Sequence, residues 1–141
     1  MIEMVNLIKV MLFDEQMNYI LLFKDGVLSP FGGQINRAES LTASVRQIMT
    51  PMISIPPINQ PVWKHIRTEY FSSSVTNVHV FYGKLNMDEL LSIEAKQKAV
   101  LVEIDRMRSG KYPHPISHRL RYLIPMAIVF DSMESKYWPQ P

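Results

Sequence analysis

The sequence reads as an α/β or α+β sandwich built on a mixed sheet, with one helix inside the strand order and a second at the C-terminal end. Three observations lead there. Short apolar runs of strand length alternate with two stretches of helical spacing. Glycines and prolines separate these runs. The strand and helix order does not repeat a βα unit, which argues against a doubly wound parallel sheet. The chain has 141 residues, of which 47% are hydrophobic and 20% charged, so it can bury a sizeable core. That length suits a single domain over residues 1–141.

The elements follow in order. Residues 6–13 (NLIKVMLF) form a strand that is mostly buried, and residues 19–24 (YILLFK) a second, closed by a turn at Asp25 and Gly26. A glycine-bearing loop, residues 29–33, comes next. Leu41, Val45, Ile48, Met49 and Met52 recur at spacings of three and four, so they share one face of a helix. Pro51 is expected to end or distort that helix. Prolines 51, 56, 57 and 61 then make a loop of residues 50–61. Residues 62–71 (VWKHIRTEYF) and 77–85 (NVHVFYGKL) form a hairpin across the serine-rich linker 72–76. A short helix over 88–93 and a strand over 99–104 follow. Residues 117–133 form the last helix, with Ser117 as its N-cap and Pro125 as a kink.

Composition excludes several function classes. The chain has no Cys, which removes disulfide scaffolds, Cys-type zinc sites, thiol nucleophiles and iron–sulfur clusters. With 15 Lys+Arg against 13 Asp+Glu, the net charge of +2 gives no strong nucleic-acid signal. No stretch reaches the roughly 18 apolar residues of a membrane span, and residues 1–10 lack the pattern of a secretory signal. The expectation is therefore a soluble cytoplasmic protein without a membrane partner.

Residues 19–55 resemble the Nudix family, whose signature is G-x5-E-x7-R-E-U-x-E-E-x-G-U, with U a bulky aliphatic. Gly32 and Gly33 stand at the paired glycines, Glu39 at the first acid, and Ser40-Leu41 at the start of the helix. The element order on both sides also agrees. The resemblance implies an α/β/α sandwich with a mixed sheet, one internal helix and a C-terminal helix. It implies a site where Mg²⁺ or Mn²⁺ bridges helix carboxylates and the pyrophosphate of a nucleoside diphosphate derivative. Carboxylates at i, i+3 and i+4 would converge on one hard cation.

This chain departs from the signature in its second half. The Arg-Glu positions hold Gln47 and Ile48, the Glu-Glu positions hold Pro51 and Met52, and the last Gly is Ser54. Arg46 lies one residue early, turned about 100° from the family's Arg. None of Ile48, Pro51 or Met52 offers a side-chain oxygen. The expectation is a catalytically degenerate Nudix-fold protein, with no catalytic residue beyond Glu39 and no metal ligands assigned. It would bind a nucleotide-type small molecule, a protein partner or a second copy. The alternative is an active Nudix-type hydrolase with a rearranged Mg²⁺ or Mn²⁺ site, drawing on Glu39 with Glu94, Glu103, His65 or His79.

Candidate ligand contacts are Gly32, Gly33, Phe31, Arg46, Trp63 and Tyr82. The glycines could cradle a phosphate or simply make a turn. Glu39 could hold a metal or favour the helix N-terminus. Trp63, Tyr70, Phe81 and Tyr82 could stack a base or fill a core. His114, His118, Arg119 and Arg121 cluster at the start of the last helix and could meet an anion there. The aromatic tail of residues 137–141 could meet a partner or pack on its own domain.

Overall fold

The computed structural model describes residues 3–35, 40–110 and 112–137. Its first strand, β1 (Val5–Asp14), carries Ile8, Val10, Met11, Leu12 and Phe13 with no exposed surface. A strand alternates its side chains, so burial of consecutive residues means that both faces are covered. Ile8, Val10 and Leu12 enter one core, and Met11 and Phe13 enter the other.

One edge of β1 pairs in parallel with β6 (Thr76–Leu85) along its whole length, from Val5 opposite Thr76 to Asp14 opposite Leu85. The other edge is divided. Its first half pairs antiparallel with β4 (Phe31–Ile35), and Leu12 and Phe13 pair with Leu21 and Ile20 of β2 (Tyr19–Asp25). The short β3 (Val27–Ser29) and β7 (Ala99–Glu103) both pair antiparallel with β2, and β5 (Lys64–Phe71) pairs antiparallel with β6. The result is the expected mixed sheet of seven strands. At the β1–β2 turn the buried Asp14 carboxylate accepts from the backbone N–H groups of Asn18 (2.8 Å) and Tyr19 (2.7 Å).

Helices cover the two faces. On one side α1 (Leu41–Ile53) and α2 (Met87–Lys96) bury Val45, Met49, Leu90 and Ile93 against Ile8, Val10 and Leu12. On the other, α4 (Leu120–Tyr137) buries Leu120, Leu123, Ile124 and Ala127 against Met11, Phe13 and Val80. Asp131 secures α4 to β6. Its carboxylate accepts from the Tyr82 hydroxyl (2.9 Å) and pairs with Lys84 (2.8 Å). Burial and this carboxylate push the Tyr82 phenol far above its ordinary range, so it remains a neutral donor.

Four local expectations change. The glycine-bearing loop of residues 29–33 is instead the end of β3 followed by β4, and among the glycines only Gly26 and Gly110 take positive φ. Gly32 is required by close approach: a Cβ there would collide with the backbone carbonyl oxygen of Ile8. Pro51 does not end α1, which continues to Ile53 and closes on Ser54 in the left-handed region (φ 57°). The last helix starts at Leu120, because Ser117 donates its N–H to the Leu28 carbonyl and holds residues 116–117 against β3. A short helix, α3 (Ile104–Arg108), follows β7 and was not foreseen.

Gly32→Ala should lower stability by about 1–3 kcal/mol, since the obstructing atom is backbone and cannot swing away. Gly26→Ala has open space around it and differs in mechanism, meeting only the cost of positive φ. Urea denaturation of the two variants checks this: a penalty at Gly32 no larger than that at Gly26 would rule out the backbone clash as its cause.

Candidate functional site

Paired residues in a sheet share a face, and this rule organises the site. Gly33 pairs with Ile8 and faces α1, whereas Gly32 pairs with Lys9 and faces the α4 side. Ser40 caps α1, its hydroxyl accepting from the Ala43 N–H at 3.2 Å. Two turns on, Ile48 lies directly over Gly33, so that a Cβ on the glycine would stand 3.2 Å from Ile48 Cγ2. Ile48 and Met52 are half-buried against the core of Ile8, Val10 and Phe31, and Pro51 is exposed.

A divalent Mg²⁺ or Mn²⁺ ion needs oxygen ligands. The three α1 positions where carboxylates would converge hold Ile48, Pro51 and Met52, so the helix does not fit such an ion. Glu39, the retained acid, lies outside the described residues. The other acids considered are engaged or apart. Glu94 accepts from the Leu101 N–H and so caps the outer edge of β7. Glu103 is exposed, on the strand paired with Tyr19. Among the described residues no group of three His, Asp or Glu side chains could hold a metal.

The remaining candidate contacts are dispersed. Phe31 is 3% exposed and meets Phe23 edge-to-face. Trp63 is 5% exposed, covers Gly83, and donates from Nε1 to Gln60 Oε1 at 3.0 Å. Tyr82 is 1% exposed and belongs to the opposite core. Arg46 is exposed on α1. Its carbonyl, not its guanidinium, is tied down, accepting from the Thr50 hydroxyl at 2.7 Å and the Gln60 amide at 3.2 Å. Of the six, only Phe31, Gly32 and Gly33 are contiguous.

Three charged residues escaped the sequence reading as a group. Lys9 is half-buried at the centre of the sheet, and burial together with the nearby Arg119 guanidinium lowers its pKa. Among the described residues it pairs with no carboxylate. Arg119, just before α4, is hydrogen-bonded to Glu69 on β5 and lies over the Phe71 ring at 4.9 Å. The Tyr122 hydroxyl donates to the same carboxylate at 3.1 Å. The available signal was a lysine in the middle of an apolar strand.

On the α1 side lies a polar chain through His65, Thr68, His79 and Asn6. His79 Nε2 is 3.1 Å from Asn6 Oδ1, an atom that only accepts, so the neutral ring carries its proton there. Nδ1 then accepts from the Thr68 hydroxyl at 2.8 Å, and Thr68 accepts from His65 Nε2 at 3.0 Å. Burial, and then His65, lower the His79 pKa.

No protein-family model and no curated protein sequence matches the chain. Solved structures do. A MutT/Nudix family protein from Listeria innocua superposes with a TM-score of 0.68 at 13% identity, covering 92% of this chain and 95% of its own. A MutT structure described for Aliivibrio salmonicida and Vibrio cholerae gives 0.62 at 12% identity, covering 89% and 96%. The chain therefore has the Nudix fold, a mixed sheet between helices.

Because His79 is held neutral in the fold, the unfolded chain takes up its proton first as pH falls. Stability should be fully present above the ordinary histidine value of 6.5 and decline as pH falls below it. Chemical denaturation between about pH 7.5 and 5.5 should show this slope, and His79→Gln should flatten it.

Proposed function

We propose, with the Nudix fold as premise, that this single-domain chain is a catalytically degenerate Nudix-fold protein that binds an anionic nucleotide-type ligand without metal-dependent hydrolysis. The observation that carries the reading is the contrast across β4. On the α1 side, Ile48 and Met52 pack into the core where a metal cage would need carboxylates. On the other side, beside Gly32, Lys9 is a half-buried cation without a carboxylate partner among the described residues. Partial burial of an unpaired charge is costly, and a bound anion would offset that cost.

In this reading Gly32 and Gly33 provide the floor of the site and Lys9 its charge. Phe31, Trp63 and Tyr82 support the floor from the two cores, whereas Arg46, exposed on α1, lies across the sheet from Lys9 and would meet only a ligand on that face. Arg119 is neutralised by Glu69 and contributes orientation more than net charge. A protein partner, including a second copy, is the reading to adopt if no small anion binds. The active-hydrolase alternative requires Mg²⁺ or Mn²⁺ and a donor set assembled around Glu39.

A panel of nucleoside diphosphate derivatives, each with and without Mg²⁺ or Mn²⁺, separates these readings. Thermal stabilisation without turnover is expected. Lys9→Met, close in volume and apolar, should weaken binding roughly tenfold, about 1.4 kcal/mol, while leaving the fold intact. Metal-dependent turnover that disappears in Glu39→Gln would establish the hydrolase instead.

A further inference from the structure

A cavity of about 520 Å³ opens on the α4 side between α3, Gly110, residues 112–116 and the first turns of α4. None of Lys9, Gly32, Gly33 or Arg119 lines it. Its floor is apolar: Ile104, Leu120 and Ile124 are each 3% exposed or less and belong to the α4-side core. Its rim is cationic or ionisable: Arg108 at the end of α3, His114 in the loop and Arg121 in the first turn of α4. Among the described residues no Asp or Glu lines it. Among the described residues, neither Arg108 nor Arg121 pairs with a carboxylate.

The basic cluster visible at the start of the last helix is thus divided by the fold. Arg119 turns to Glu69 on β5, and Arg121 joins His114 and Arg108 around the cavity. Residues distant in sequence, Arg108 and Arg121, come to one rim because Ile116 bridges to Leu28 and draws the intervening loop back onto the sheet.

We propose that this cavity is a binding site for a small amphipathic organic anion, an apolar aromatic or acyl body bearing a carboxylate or phosphate. The volume lies within the range of small-molecule sites, roughly 300–1,000 Å³. The floor removes the body from water, and the guanidinium groups, planar and always charged, receive the anionic end. The absence of any acid from the lining leaves the rim without internal compensation, which favours an anion over a cation or a neutral ligand. This site shares no lining residue with the one beside Gly32, so either can fail without the other.

The test is titration of the full chain with 1-naphthyl phosphate, 1-naphthol and inorganic phosphate, followed by backbone amide NMR shifts. Naphthyl phosphate is expected to bind roughly tenfold more tightly than either fragment, since only it engages both floor and rim. Shifts should centre on residues 104–125. The double variant Arg108→Gln/Arg121→Gln, at exposed positions, should weaken binding roughly fivefold or more, whereas Lys96→Gln, exposed on α2 across the sheet, should not change it. Equal binding in the double variant, equal binding of naphthol, shifts centred on Gly32 and Gly33, or no binding at millimolar concentration would each overturn the proposal.

Discussion

The structure depends on burying β1 on both faces while both of its edges are paired. A strand in that position has no polar side to offer water, so its sequence must be almost continuously apolar. It is, from Ile8 to Phe13, with Lys9 as the exception. The parallel pairing with β6 runs ten residues, and the opposite edge is shared between β4 and β2. That division places two glycines of β4 against the first half of β1. Gly32 is there because nothing larger clears the Ile8 carbonyl, and its pairing partner is Lys9, whose side chain lies against it.

The same constraint gives meaning to the altered helix. A carboxylate-bearing face on α1 would be solvated and held slightly off the sheet by its ions. With Ile48 and Met52 in those places, the face instead packs against Phe31 and the β1 side chains. The apolar residues exchange charge for area, each half-buried side chain contributing part of the roughly 1.5–3 kcal/mol of full burial. Gln60 then holds the C-terminal turn, its amide nitrogen within reach of the Thr50 hydroxyl at 2.9 Å and the Ile55 carbonyl at 3.0 Å. Pro51 lies in the last turn of α1, where its missing N–H removes a single helical bond, to the Gln47 carbonyl.

Much of this was legible from residue patterns. Strands with runs such as NLIKVMLF and NVHVFYGKL, and the three-four spacing from Leu41 to Met52, are local signals that tertiary packing reinforces. The stretch around Gly32 misled because glycine and proline usually punctuate loops. Here Pro30 separates two short strands, and the glycines answer to a neighbouring backbone rather than to a turn. The aromatic residues were read as open between core and ligand, and nothing in their spacing could decide it. Trp63, over Gly83, stands one paired position from Tyr82 in the hairpin, and the two therefore enter opposite cores.

By itself the sequence determined the fold class, the order of the longer elements and the chemical deficit of the α1 face, because periodicity and residue identity are local properties. Only the tertiary structure decided which charges stand alone. Lys9 and Arg119 are 110 positions apart in number, as are many pairs that never meet, and their approach follows from α4 crossing the sheet. Arg119 and Arg121 look equivalent in sequence, but Glu69 neutralises one and the other faces a cavity. Charge compensation is a relation between strands and helices brought together by burial, and no single segment contains it.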